Sequence, residues 1–202
     1  EAARSYIYVR ELTVRTVLGK AFPDYNWIFD QSYGRTRCLG RPSGRPRPDA
    51  RARVADRVVI VEIDENSHRG YLCAKERERE AAFVQMAGEG RTVVMIRFNP
   101  DKYVDYSGKR WVSCFSRLGV AEKQQTQWKN RVQTLVNTIH YVSDSANNLP
   151  PKQDERPCLM VELFYDNVAG TPEAERLRDA KGRFRAIVQS KKRAREASGA
   201  NL

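Results

Sequence analysis

Three carboxylates and one imidazole are spaced so that they can converge. Asp49 is followed, after a gap of twelve residues, by Glu62, Asp64 and then His68 four residues on. Glu62 and Asp64 are two apart, so on a strand they point to one face. Asp49 opens the preceding strand-like run, and a tight turn between the two runs sets it near the same sheet edge. Clustered carboxylates repel one another unless a cation neutralises them. Hard oxygen donors of this kind suit Mg²⁺ or Mn²⁺, which also hold phosphate and water in place. The His68 imidazole, with an ordinary pKa near neutrality, can take a proton from an attacking water. Together these groups suit hydrolysis of a phosphodiester. A Glu-x-Asp pair alone recurs by chance, and its plainer reading is a solvated loop at a strand end.

The charge distribution points to the same substrate class. The 202 residues hold 36 Lys and Arg against 25 Asp and Glu, a net charge of +11. Residues 35–57 contain eight arginines against two aspartates, and residues 176–195 contain nine basic side chains against one aspartate. The rest of the chain is slightly acidic. Two arginine-weighted blocks on such a body favour a polyanionic partner, because guanidinium forks pair with phosphate oxygens. Nucleic acid is favoured over an acidic protein or a membrane surface. The candidate phosphate contacts are Arg41, Arg45, Arg47, Arg51 and Arg53, then Arg69 beyond His68, and the tail cluster Lys191, Lys192 and Arg193.

No run of about 18 apolar residues occurs, so a membrane span is not expected. Cys38, Cys73, Cys114 and Cys158 form no CxxC spacing and are too sparse for a disulfide scaffold. Reduced thiols in an intracellular compartment are the expectation. Cys38 and Cys73 flank His68, but without a zinc-ligand spacing they read as ordinary loop or core cysteines. The chain begins at Glu1, which fits removal of an upstream segment.

The elements that must position these groups follow from periodicity. Residues 5–19 can form a β-branched strand or a short helix; the Glu11–Arg15 spacing and Gly19 favour helix. Residues 25–31 alternate and are aromatic, predicting a strand. Proline and glycine make residues 35–48 an arginine-studded loop. A strand over 49–54, a tight connection at Ala55-Asp56 and a strongly apolar strand over 58–63 come next. The continuous Val-Val-Ile-Val run predicts burial on both faces. A helix over 73–87, a central strand over 92–98, a looser stretch, a helix over 120–142 and a last strand over 158–166 complete the core. Trp128, Val132, Leu135, Ile139 and Val142 recur at helical spacing and predict a buried stripe. Within the looser stretch, Tyr103 and Trp111 either stack on bases or pack in the core. His140 is expected to be a partly buried helix residue. The order is α-β-β-β-α-β-α-β, an α/β domain over 1–170 with a basic extension over 171–202.

With those elements in place, residues 47–68 resemble the core of the PD-(D/E)xK restriction-endonuclease-like superfamily. They are most similar to the branch of very-short-patch-repair and EDxHD homing endonucleases. Pro48-Asp49, the run Ile60-Val61-Glu62-Ile63-Asp64, His68 and the strand Val94-Met95-Ile96-Arg97-Phe98 supply its pieces in order. Asn99, Pro100, Asp101 and Tyr103 also resemble proteins of large DNA viruses and algae. The resemblance implies a short mixed sheet flanked by helices, with Asp49, Glu62 and the Ile63 carbonyl as ligands for Mg²⁺ or Mn²⁺. It implies that Asp64 stands where the superfamily usually has lysine, and that His68 is a general base or leaving-group partner. It also implies that Glu11 matches an N-terminal carboxylate. Two positions depart from the pattern: Glu65 replaces glycine and Ala50 replaces an aromatic.

Two functions from different classes are compatible with these observations. One is a metal-dependent endonuclease acting on DNA. The other is a nuclease-derived, non-catalytic RNA-binding subunit of a large ribonucleoprotein such as an organellar ribosome. In that second reading, neighbouring subunits would order the basic tail.

Overall fold

The computed structural model describes residues 2–31, 47–65, 73–87, 90–105, 107–149 and 157–166. The first segment is a helix, α1 (Ala2–Ala21), and it continues through Gly19. Val14 and Leu18, one turn apart, carry its buried stripe, while Leu12 stays half-exposed. Beyond it come a short strand β1 (Ile28–Phe29), then β2 (Ala50–Val54) and β3 (Arg57–Ile63). The β2–β3 turn passes through Ala55 at φ 53°. All seven residues of β3 are buried, as its apolar run predicts. Helix α2 (Cys73–Ala87) crosses over to β4 (Thr92–Phe98), and α3 (Gln125–Ser143) leads to β9 (Leu159–Leu163).

One mixed sheet, ordered β1-β2-β3-β4-β9, joins these strands. The β1–β2 and β2–β3 pairs are antiparallel, whereas β3–β4 and β4–β9 are parallel. Parallel neighbours require crossover connections, and α2 and α3 lie in those two connections. The sheet is covered on both faces, which explains its valine-rich central strands. On one face, Val58, Ile60, Val93, Met95 and Met160 pack with Phe83 and Ala87 of α2. On the other, Val59, Val61, Ile96 and Val161 share a core with Val14 and Leu18 of α1 and with Leu135, Ile139 and Val142 of α3. The α3 stripe therefore packs where its spacing predicts.

Between β4 and α3 the chain makes an excursion that periodicity did not resolve. It contains two small hairpins, β5 (Tyr103–Val104) with β6 (Arg110–Trp111), and β7 (Phe115–Ser116) with β8 (Gly119–Val120). Val120 therefore belongs to a hairpin. Helix α3 starts at Gln125 rather than at residue 120, after a 3-10 turn at Glu122–Gln124. The β1 and β9 strands are also shorter than the runs of apolar residues around them. His140 is exposed on α3, with its ring 4.6 Å from that of Phe22.

Two buried arginines satisfy the backbone where helix and excursion end. Arg57, at the start of β3, donates to the carbonyls of Val142 and Asp144 at 2.8 and 2.9 Å, and to Ser145 and Asn147 at 3.3 and 2.9 Å. A positive charge at a helix C-terminus complements the dipole and meets carbonyls that have no intrahelical donor. Arg131 of α3 does the same for the excursion, donating to Asn99, Asp101 and Val112 carbonyls at 3.0, 2.7 and 3.1 Å. Its guanidinium also lies over the rings of Tyr103 and Phe164.

Replacing Arg57 strands several carbonyls at once. Arg57→Ala is expected to lower unfolding stability by about 3 kcal/mol, since bonds to charged groups are worth about 1.5–3 kcal/mol each. Urea unfolding of the two proteins measures this directly. A loss under about 0.5 kcal/mol, as at an ordinary surface position, would show that the helix end does not depend on this side chain.

Candidate functional site

The candidate site forms where β2 begins and β3 ends. Ala50 pairs with Val61, so the antiparallel register continued by one residue sets Asp49 across from Glu62. In the parallel pairs, Glu62 stands abreast of Arg97 on β4, and Arg97 abreast of Glu162 on β9. A row of charged positions thus crosses the sheet at one edge of the α2-covered face. Side-chain alternation along β3 requires this: Val58 and Ile60 meet α2, so Glu62 faces the same way.

Each carboxylate in the cluster has a distinct environment. Asp49 Oδ2 accepts the Ile63 backbone N–H at 2.7 Å, which ties the start of β2 to the end of β3. Glu62 is 2% exposed, and Arg79 of α2 donates to its Oε2. Its Oε1 is buried with no hydrogen-bond partner among the described residues. Burial first, and then the charge of Asp49, push the Glu62 pKa well above the usual carboxylate range, against the opposing pull of Arg79.

Glu11 reaches this rim from α1. Its carboxyl is raised by burial and by Asp49, while Arg15, bonded to it at 3.2 Å, pulls the other way. Glu65 is a member that the motif did not predict. Burial raises its pKa to about 7; Arg10 opposes this, and Asp49 and Glu11 add to it. One of its oxygens is buried with no hydrogen-bond partner among the described residues. Its signal in the sequence was only a departure from the glycine of the superfamily that residues 47–68 resemble.

Asp64 adds its charge to the upward push on Glu62 but is bonded to different partners. It is fully buried, and Oδ2 accepts from Arg97 Nε and from the Tyr165 hydroxyl. Burial and the Asp64 charge push the Tyr165 phenol well above its usual pKa, so it stays a donor. Alternation correctly put Asp64 near Glu62, but its oxygen Oδ2 is engaged by β4 and by the segment after β9. The Ile63 side chain packs in the α1/α3 core, which leaves its backbone facing Asp49.

The candidate arginines lie partly within and partly outside the described residues. Arg51 and Arg53 lie across from Ile60 and Val58, so they share a face with Asp49 and run as a stripe along β2. Arg51 is half-buried and Arg53 exposed. Arg47 is exposed and bonded to Asp30 at 2.8 Å. Such surface pairs are worth about 0–1 kcal/mol, so a phosphate can compete for the guanidinium. His68, Arg69, Arg41, Arg45, Lys191, Lys192 and Arg193 lie outside the described residues, as does Cys38.

Tyr103 and Trp111 do not form an open stacking platform. Their rings stack on each other at 6.1 Å, Lys109 covers Trp111 at 4.0 Å, and Arg131 covers Tyr103 at 4.8 Å. Trp111 Nε1 also donates to Asp105 at 2.8 Å. Of the two expectations for this pair, packing is the one observed. Cys114 and Cys158 are both buried.

Among the described residues no group of three or more His, Cys, Asp or Glu side chains forms a metal cage. Mg²⁺ does not require one, since it is commonly held by one or two carboxylates with water and substrate phosphate. The donors present fit that pattern. Asp49 and Glu62 are hard, adjacent and mutually repulsive, and Glu62 keeps a buried oxygen without a described partner. No helix among the described residues is long and apolar enough to cross a membrane. No protein-family model and no curated protein matches the chain.

The raised carboxyls make stability depend on pH with a defined sign. Glu65 binds its proton more tightly when folded, so its contribution is complete below pH 4.5 and is lost as pH rises through about 7. Thermal unfolding is expected to show a Tm that falls between pH 5 and 8, with Glu65→Gln flattening the decline. An unchanged slope in that variant would place the effect elsewhere.

Proposed function

We propose that this chain is a nucleic-acid-binding protein with a restriction-endonuclease-like core that hydrolyses phosphodiester bonds in DNA. The observation that carries this reading is the register-enforced pair Asp49 and Glu62, repelling each other at a buried rim approached by an arginine stripe. The helix–strand–strand–strand–helix–strand order and the mixed sheet support the finer fold assignment.

Asp49 and Glu62, with the Ile63 carbonyl, would hold Mg²⁺ or Mn²⁺. A cation bound there supplies charge stabilisation at the phosphoryl oxygens and a more acidic water. Arg47, Arg51 and Arg53 align the polyanionic backbone against the rim, using forks suited to phosphate. Glu62 must be ionised to act as a ligand, so Arg79 and the arriving positive charge offset its burial. Asp64 serves as a positioning residue: its bonds to Arg97 and Tyr165 fix the end of β3 and hence the Glu62 and Ile63 donors. His68, three residues beyond Glu65, is the proton acceptor on this reading, and Glu11 completes the acidic rim from α1.

A second reading has its own observation. Arg79 already satisfies one Glu62 oxygen, as a guanidinium replacing a lost cation would. The protein would then be a nuclease-derived RNA-binding subunit of a large ribonucleoprotein, with its basic tail anchored by neighbours.

Incubation of duplex DNA and of RNA with Mg²⁺ or Mn²⁺ separates these readings. The nuclease reading expects DNA cleavage that falls at least about a hundredfold in Asp49→Ala, Glu62→Gln and His68→Ala. Cleavage untouched by all three substitutions overturns the site. Absence of cleavage, with tight RNA binding that weakens steeply with salt, establishes the second reading instead.

A further inference from the structure

Asp30 stands directly after β1 with φ 49°, in the left-handed region where aspartate is one of the few side chains tolerated. In that conformation its backbone N–H donates to the Asp49 carbonyl at 3.2 Å. The bond continues the β1–β2 register, in which Phe29 lies opposite Ala50. The Asp30 carboxylate meanwhile spans two arginines. Its Oδ1 pairs with Arg47 Nη2 at 2.8 Å, and its Oδ2 lies 3.8 Å from Arg15 Nη2. Arg15 in turn bonds Glu11 at 3.2 Å, and its guanidinium lies 5.4–5.7 Å class distance from no other ring than Phe29, at 5.7 Å.

One residue therefore grips the segment Arg47-Pro48-Asp49 at both ends, the arginine by its side chain and the aspartate by its backbone. Pro48 between them is buried, and its ring fixes φ near about −65°. The Asp49 carboxylate is separately tied to the Ile63 N–H at 2.7 Å. Arg47 is thus referenced to the same frame as the candidate cation ligand. Its side chain is 59% exposed and that of Asp30 37%. An ion pair so open to water contributes little to stability, and what it fixes is a direction. A guanidinium carries five N–H donors, so one edge can rest on Asp30 while another takes a phosphate oxygen.

We propose that Asp30 is a positioning residue that holds the Arg47 guanidinium at a fixed place beside Asp49, so that the phosphate bound there is aligned with the cation pair. Holding a reacting group in register before the chemical step removes part of the entropic barrier, and small misplacements are costly. The proposal rests on the nuclease reading and names the side chain that aligns its substrate.

The test compares full-chain wild type with Asp30→Gly, Asp30→Asn, Arg47→Ala and the double variant Asp30→Gly with Arg47→Ala. Glycine keeps the left-handed backbone and its N–H but removes the carboxylate, whereas asparagine keeps an oxygen for Arg47. On duplex DNA with Mg²⁺, Asp30→Gly is expected to lower kcat about tenfold while KM changes less than about twofold. Asp30→Asn is expected to recover most of that loss. The double variant should match Arg47→Ala within about twofold, because the carboxylate acts through that arginine. Mn²⁺ affinity and circular dichroism of Asp30→Gly should equal those of wild type, which separates alignment from damage to Asp49 or to the fold. In EDTA, Arg47→Ala is expected to reduce the salt slope of duplex binding by about one. Wild-type kcat in Asp30→Gly, losses that add in the double variant, or an unchanged slope in Arg47→Ala overturn the positioning role and leave the nuclease reading standing. A fall in Mn²⁺ affinity alongside kcat in Asp30→Gly also overturns it, because the carboxylate would then act on the cation pair itself. Absence of cleavage by wild type overturns both.

Discussion

A carboxylate placed within an otherwise apolar, fully buried strand is the constraint on which the rest of this structure depends. Glu62 is 2% exposed on β3, and Asp49, just before β2, lies opposite it. Taking an ionised carboxylate out of water is costly unless it is paired, and a second carboxylate alongside raises that cost. The fold responds by bringing arginines to the row. Helix α2 places Arg79 on Glu62, and β4 places Arg97 beside it. Arg97 in turn binds Asp64, which Tyr165 holds from the segment beyond β9. The sheet edge is therefore an electrostatic lattice whose parts come from β2, β3, β4, α2 and the end of β9. On the proposed reading, a divalent cation at Glu62 and Asp49 would add to the positive charge that these arginines bring.

The surfaces around this edge are arranged along compatible lines. Arg51 and Arg53 share a face with Asp49 and continue it as a basic stripe along β2. On the proposed reading, a phosphodiester backbone follows these arginines toward the carboxylates. The interior fittings are of a different kind. Arg57 and Arg131 spend their charge on backbone carbonyls, so not every arginine in this basic chain is available to a polyanion.

Much of the fold was legible because its signals were strong and local. The Val58–Ile63 and Thr92–Phe98 runs are buried on both faces, and a continuous apolar run is how such strands read. Trp128, Leu135, Ile139 and Val142 betrayed the buried face of α3 by their spacing. The hairpins over 103–120 were not legible, since two-residue strands are too short to establish a period. In the site, the Asp49–Glu62 pairing followed from hairpin register. Three features depended on distant chain segments and left no local trace: Arg79 reaching from α2, Tyr165 reaching Asp64 across 101 residues, and the charge of Arg10 acting on Glu65. Asp64 illustrates the difference. Its position was readable from alternation, whereas its commitment to Arg97 and Tyr165 came from the parallel pairing of β3, β4 and β9.

Binding of Mn²⁺, followed by electron paramagnetic resonance at pH 8, tests the central claim most directly because it asks about Asp49 and Glu62 before any substrate is involved. Wild type is predicted to deplete the free-ion signal, with affinity falling at least about tenfold in both Asp49→Asn and Glu62→Gln. Both replacements keep shape and remove charge, so the loss would report ligation. Failure of wild type to bind Mn²⁺ at millimolar concentration, or equal binding by wild type and both variants, would contradict the assignment of this buried carboxylate pair as a cation site.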